Sequence, residues 1–221
     1  PEGRRCFAEN GAMLTGWQSV NGSSYYFKEA GFAVVGKQII DDKTYYFTST
    51  GANIILVNPW NYLPDDYEVE LVELESGHKV AKECEAALMQ MLADCEAAGH
   101  KPYLYSSYRT HAHQANLFKK MVDQEGSETK AARIVARPGT SEHQLGYAVD
   151  ITDSGFRKLN KDQEKTATQQ WLMANCWDYG FIVRYPTGTT AITGIIYEPW
   201  HYRYVGKELA KELYESGLTL E

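Results

Sequence analysis

Ser141-Glu142-His143-Gln144-Leu145-Gly146-Tyr147-Ala148-Val149-Asp150-Ile151 places an imidazole and a carboxylate seven positions apart, with a glycine between them. A straight helix would separate those two groups by about 10 Å along its axis. That is too far for them to share one ion or one proton. Gly146 permits a sharp fold-back, after which Tyr147 to Asp150 reads as a returning strand. Alternation then puts Tyr147 and Val149 on one face, and Ala148 and Asp150 on the other.

A second stretch, Tyr197-Glu198-Pro199-Trp200-His201-Tyr202-Arg203-Tyr204, has a carboxylate three residues before a histidine. Pro199 disfavours helix at Glu198, so this is not the helical H-E-x-x-H arrangement. Two neutral imidazoles and one carboxylate are the donor set of a catalytic zinc, with the fourth position left to water. His143, Asp150 and His201 are therefore the candidate ligands. Glu198 is a candidate general base, because a carboxylate beside such a site can move protons. Of the six histidines, His111 and His113 read as solvated bystanders.

Around these motifs the chain alternates helices and short strands without regular β-α-β order, which points to an α+β class. Val80, Cys84, Leu88, Met91, Cys95 and Ala98 predict a helix over 79–98, stopped by Gly99. Lys101 to Ser106 reads as a strand. Thr110 reads as the N-cap of a second helix burying Ala115, Phe118 and Val122. Further expectations are a helix over 166–177, strands at Phe181 to Arg184 and Gly194 to Tyr197, and a last helix from Lys207 to Tyr214.

The first 57 residues repeat with a period of twenty: 16–35 and 36–55 align, and 6–15 matches the second half of the same unit. Each unit reads as a hairpin whose second strand ends Tyr-Tyr-Phe, followed by another glycine. One hairpin is marginal alone, so stacked neighbours must supply its core. Domains are accordingly expected at 1–57 and 58–221.

The 221 residues carry a net charge of −7, which argues against a nucleic-acid partner. No apolar run approaches the ~18 residues of a membrane helix, and Pro1 to Arg5 do not read as a signal peptide. Four cysteines are too few for a disulfide scaffold. Cys84 and Cys95, eleven residues apart on one helix, lie about 16 Å from each other. All four cysteines are expected to be buried, small apolar side chains.

The repeats resemble the choline-binding and glucan-binding repeats of Gram-positive surface proteins, on the pattern Gly-Trp, Tyr-Tyr-Phe, Gly. Ser24 and Thr44 stand where those repeats have tryptophan, and Gly36-Lys37 replaces the second Gly-Trp. A cell-wall polymer is the partner this implies, and aromatic faces suit it. Residues 58–217 resemble the zinc D-Ala-D-Ala peptidases, which include the VanX dipeptidases, and are closer to VanY-type D,D-carboxypeptidases. The likeness rests on S-S-Y-R-T (106–110), P-G-T-S-E-H-Q-L-G (138–146), Asp150, F-I-V-R-Y-P (181–186) and E-P-W-H (198–201). Ser107 replaces a usual glycine.

The resemblance implies a small antiparallel sheet with flanking helices and Zn2+ held by His143, Asp150 and His201. Glu198 would be the base and Arg109 the oxyanion stabiliser, with Ser141, Gln114, Tyr185 and Trp200 as substrate contacts. It further implies hydrolysis of a C-terminal D-Ala from a peptidoglycan stem peptide, outside the membrane of a bacterium, Gram-positive by the repeats. An L,D-carboxypeptidase, a phage-type endopeptidase and a non-catalytic wall-binding protein remain the alternatives. Intact Glu198 and Arg109 speak against the last of these.

Overall fold

A computed structural model describes residues 3–20, 23–48, 50–64 and 67–221. The chain forms two compact units: Pro1–Ile55 with Pro64–Glu68, and Leu56–Leu63 with Val69–Glu221.

The first unit is built of hairpins. Strands β1 (Gly16–Val20) and β2 (Ser23–Phe27) pair antiparallel, as do β3 (Gly36–Ile40) and β4 (Lys43–Phe47). The second hairpin turns at Asp41-Asp42, both with positive φ. The first turn, Asn21-Gly22, and the side chain of Thr44 lie outside the described residues. Phe27, Val34, Ile40 and Phe47 are buried. The segment after each hairpin hydrogen-bonds back along it, Val34 N–H to the Tyr26 carbonyl and Ile54 N–H to the Tyr46 carbonyl. Gly11, Gly31 and Gly51, one per repeat, all have φ between 77° and 87°. A Cβ on Gly51 would meet Ala33 Cβ at 2.9 Å. The twenty-residue period therefore recurs as a left-handed turn that seats each unit on the one before.

The second unit opens with a hairpin, β5 (Leu71–Glu73) and β6 (Lys79–Ala81), which leads directly into α1 (Lys82–Ala97). The helix expected from residue 79 thus starts three residues later, because 79–81 are taken up by pairing with β5. Its stripe of Cys84, Leu88, Met91 and Cys95 is buried. A four-stranded antiparallel sheet, in the order β7-β8-β10-β9, follows: β7 (Pro102–Ser106), β8 (Ala148–Asp153), β9 (Phe181–Tyr185) and β10 (Glu198–Tyr204). Val149, Ile151, Phe181 and Tyr202 from this sheet share one core with the α1 stripe and with Leu172 of α4 (Ala167–Asn175).

Between β7 and β8 lie α2 (His111–Glu125), capped by the Thr110 hydroxyl, and α3 (Glu128–Ala131). Gln114, and not Ala115, Phe118 or Val122, is the fully buried residue of α2. Helix α6 (Lys207–Ser216) closes the unit.

Gly194 to Tyr197 is not a strand. Residues 190–193 form α5 (Thr190–Thr193), capped by Gly194 at φ 78°. The Ile196 N–H bonds the Arg133 carbonyl, so the chain joins the sheet only at Glu198. Cys84, Cys95 and Cys176 are buried as expected, whereas Cys6 is only partly so, because its repeat unit is the first in the stack. No helix among the described residues is long and apolar enough to cross a membrane.

Gly146 terminates a short 3-10 turn (Glu142–Leu145) in the left-handed conformation, φ 81°. A Cβ there would lie 3.1 Å from Leu71 Cδ2 and 3.3 Å from the Ala81 nitrogen. Gly146→Ala should therefore cost about 1–3 kcal/mol of stability from backbone strain, before any cost of the close contacts. Urea denaturation measures this, and a loss under ~0.5 kcal/mol would mean that the turn tolerates a side chain.

Candidate metal centre

The 3-10 turn, β8 and β10 each contribute one side chain to a buried cluster. His143 comes from the turn, Asp150 from β8 and His201 from β10. In the β8–β10 ladder Asp150 and His201 are direct partners, so both side chains project from the same face. One ligand atom from each of the three residues falls within 4.8 Å of the others.

The hydrogen bonds settle which nitrogens face inward. His143 Nδ1 lies 2.7 Å from the Ser107 carbonyl. A carbonyl only accepts, so Nδ1 carries the proton and the Nε2 lone pair points to Asp150 Oδ2, 3.3 Å away. His201 faces Asp150 Oδ1 with Nδ1, at 3.1 Å. Its Nε2 faces Glu142 Oε2 at 3.5 Å. Donors at about 2.1 Å around a tetrahedral ion are separated by about 3.4 Å. His143 approaches Asp150 Oδ2 at 3.3 Å and His201 approaches Oδ1 at 3.1 Å, both near that edge length. With one atom from each residue within 4.8 Å of the others, the three side chains suit a small divalent metal with an N/N/O donor set.

Glu198 Oε2 is 3.8 Å from His201 Nδ1. Arg109 lies along the other side of Asp150, with Nη2 donating to Oδ2 at 2.7 Å. Its Nε donates to Ser106 Oγ at 3.0 Å and its Nη1 to Gln114 Oε1 at 3.3 Å. The guanidinium is thereby locked in one plane. Gln114, expected among the substrate contacts, lies behind Arg109 and donates its Nε2 to the Ala136 carbonyl at 2.7 Å. Tyr185 is buried with its ring 4.9 Å from that of His201. Ser141 and Trp200 are buried beside His143 and His201 in sequence. His111 and His113 are exposed.

Burial, joined by the Arg109 charge, lowers the His143 pKa to about 4. Burial alone would raise that of Asp150, yet the two imidazoles and Arg109 hold it well below the usual carboxylate range. Glu198 is pushed up to about 8, chiefly by burial and further by Asp150. Burial would lower His201, but the Asp150 and Glu142 carboxylates outweigh it and lift the ring to about 9.

Sequence reasoning missed a second layer. Glu142 Oε1 accepts from Arg184 Nε at 2.7 Å and from Arg203 Nη1 at 2.9 Å. Arg184, fully buried, also grips Glu221 through both terminal nitrogens, at 3.0 and 2.7 Å. Asn58 Nδ2 donates to Glu221 Oε1 at 3.3 Å. An arginine inside the apolar run 181–185 was the available signal.

Fold and site together define an α+β domain with a buried His/Asp/His cluster that could hold a metal ion, flanked by a carboxyl and a guanidinium. Residues 77–207 match the family D-alanyl-D-alanine carboxypeptidase, VanY, and the chain belongs to that family. Residues 14–56 match the choline-binding repeat. A D-alanyl-D-alanine carboxypeptidase of Enterococcus faecalis (strain ATCC 700802 / V583) is 38% identical over 177 residues, 76% of this chain and 64% of the relative. The chain thus spans just under two thirds of that relative's length.

Among solved structures, a vancomycin-resistance D,D-pentapeptidase, VanY of a VanB-type cassette, in complex with Zn(II), is 39% identical with a TM-score of 0.68. It covers 75% of this chain and 95% of that one. The LdcB LD-carboxypeptidase is similar to the same degree, 39% and 0.68, covering 75% and 82%.

In the metal-free protein, the folded His201 pKa of about 9 stands above its usual 6.5. Its stabilising contribution is complete below 6.5 and is lost as pH rises through 9. Glu198 acts in the same direction, since its ionisation in the buried site opposes folding from 4.5 up to about 8. Thermal melts in chelator should therefore show a lower Tm at pH 9 than at pH 6.5. A Tm that held or rose would contradict the assigned contacts of His201.

Proposed function

We propose that residues 58–221 form a zinc carboxypeptidase that removes the C-terminal D-Ala from peptidoglycan stem peptides ending in D-Ala-D-Ala. The observation that carries this reading is the convergence of His143, Asp150 and His201 within 4.8 Å, with the Glu198 carboxyl 3.8 Å from His201 Nδ1. The VanY relationship supports both the substrate class and the metal.

His143 would hold zinc through Nε2, Asp150 through a carboxylate oxygen and His201 through Nδ1. When bound, zinc supplies Lewis-acid chemistry, polarising a carbonyl and lowering the pKa of water towards ~7. Glu198 takes the proton from the attacking water at a carboxylate oxygen and returns it to the leaving amine. Arg109, held flat by Ser106 and Gln114, presents fixed positive charge where the carbonyl oxygen becomes anionic. Tyr185, Ser141 and Trp200 border the substrate, and Gln114 acts through Arg109.

An L,D-carboxypeptidase acting on tetrapeptide stems is the second reading, favoured by the equal likeness to LdcB. Mass spectrometry of penta- and tetrapeptide stems incubated with the zinc-loaded protein separates the two. Loss of D-Ala from the pentapeptide supports the first reading, and turnover confined to the tetrapeptide replaces it with the second. Glu198→Gln should lower kcat by about 10²–10⁴-fold while zinc content stays at the wild-type level. Near-normal turnover would assign the base elsewhere, and zinc loss would make Glu198 a ligand.

Residues 1–57 would serve as a wall-binding module, and the choline-binding-repeat match supports the reading that the protein works outside the cytoplasmic membrane, in a Gram-positive bacterium. Trp17, 39% exposed, offers the accessible indole of the stack. Trp17→Ala should reduce co-sedimentation with purified peptidoglycan and leave turnover of a soluble stem peptide unchanged. Equal sedimentation would reduce the repeats to a spacer.

A further inference from the structure

Four buried side-chain polar atoms among the described residues have no hydrogen-bond partner, and two of them face each other: Glu142 Oε2 and His201 Nε2. Their separation is 3.5 Å, about half an ångström beyond a good N–H···O bond. Leaving either atom unpaired in a dry interior is costly. The structure explains why the carboxylate is fixed there. Oε1 is held by Arg184 and Arg203, and Glu221 balances the second guanidinium charge. Glu142 is thus clamped at one oxygen, with the other aimed at the outer nitrogen of a ligand ring.

We infer that Glu142 is a positioning residue, whose Oε2 accepts the Nε2 proton of His201 and so presents the Nδ1 lone pair of that ring to the metal. The inference rests on the metal-site reading above. The two histidines then mirror each other. His143 donates from Nδ1 to the Ser107 carbonyl and ligates through Nε2, whereas His201 donates from Nε2 to Glu142 and ligates through Nδ1. Carboxylate partners of this kind fix the ring's orientation and raise its basicity, and their loss weakens metal binding about 10–100-fold.

Glutamine cannot do the same work. A carboxylate accepts on both oxygens, whereas an amide accepts on one side only. The amide introduced by Glu142→Gln would have to turn its NH2 either to the arginines or to the His201 N–H. The backing layer has a structural part as well, since Arg184 and Arg203 lose their anion in any neutral variant. A drop in activity alone would therefore not establish positioning, and the decisive readout is the protonation pattern of the ring.

The test uses the full chain, 15N-labelled at histidine and loaded with 113Cd or zinc. Long-range 1H–15N correlations and 113Cd–15N couplings identify the coordinating nitrogen of each ring. The expected result is coordination of His201 through Nδ1, with a slowly exchanging Nε2 proton. In Glu142→Gln that proton should exchange faster, and chelator competition should show metal affinity lower by about 10–100-fold, while the His143 Nδ1 proton is unchanged. Coordination of His201 through Nε2 in the wild type overturns the inference, and does so even if the variant fails to fold. Unchanged Nε2 exchange and metal affinity in a folded Glu142→Gln also overturn it. A wild-type protein that takes up no metal refutes the metal-site reading instead.

Discussion

Asp150 stands opposite His201 in the antiparallel ladder between β8 and β10, and this register decides what each face of the sheet contains. Opposed residues in such a ladder send their side chains to the same side, a few ångströms apart. Val149, Ile151 and Tyr202, on the other side, meet the α1 stripe of Cys84, Leu88, Met91 and Cys95. One alternation thus separates an apolar face that holds the unit together from a polar face that holds the site. A slip of one residue would exchange them, driving a carboxylate into the core. The fold-back at Gly146 then needs only to return His143 over the polar face.

The polar face is balanced charge by charge. Asp150 is paired with Arg109, Glu142 with Arg184 and Arg203, and Arg184 with Glu221. These are three guanidiniums and three carboxylates, as burial of so many ions requires. Glu198 makes a fourth carboxyl with no guanidinium bonded to it among the described residues, and it is the one whose pKa is pushed up, to about 8. Burial acts on both acids, but the His143 and His201 imidazoles, joined by Arg109, hold Asp150 well below the usual carboxylate range, whereas Glu198 stays raised. The proposed roles of ligand and proton carrier call for that difference.

The parts of this arrangement that were legible in the sequence are those encoded within a few residues. His143, Gly146 and Asp150 lie in one stretch, Glu198 and His201 in another, and the alternation that aims Asp150 is a property of any strand. The second layer was not legible. Glu142, Arg184, Arg203 and Glu221 come from four separate segments, and only the sheet order β8-β10-β9 brings them together. The misplaced strand at Gly194–Tyr197 has a similar cause. Those residues are apolar enough for a strand, but the turn capped by Gly194 and the bond from Ile196 to Arg133 hold them outside the sheet. The resemblance implies Gln114 as a substrate contact, and no short motif shows the two bonds by which its amide holds Arg109 and the Ala136 carbonyl.

The repeats follow a different logic, in which the same register position is refilled by different chemistry. Trp17 pairs across its hairpin with Tyr26, and Lys37 pairs with Tyr46. The ring–ring distance in the first pair is 5.3 Å, and the Lys37 ammonium stands 5.4 Å from the Tyr46 ring in the second. An aromatic contact has been replaced by a cation–π contact at equal range, so the hairpin keeps its cross-strand pair although the indole is gone. The replacement also changes what the unit offers a ligand. The face of Tyr46 that would attract a quaternary amine already has an ammonium group over it, and a second cation would be repelled. In the first unit Trp17 lies edge-on to both Tyr26 and Tyr45, so its own ring helps to fill the stack.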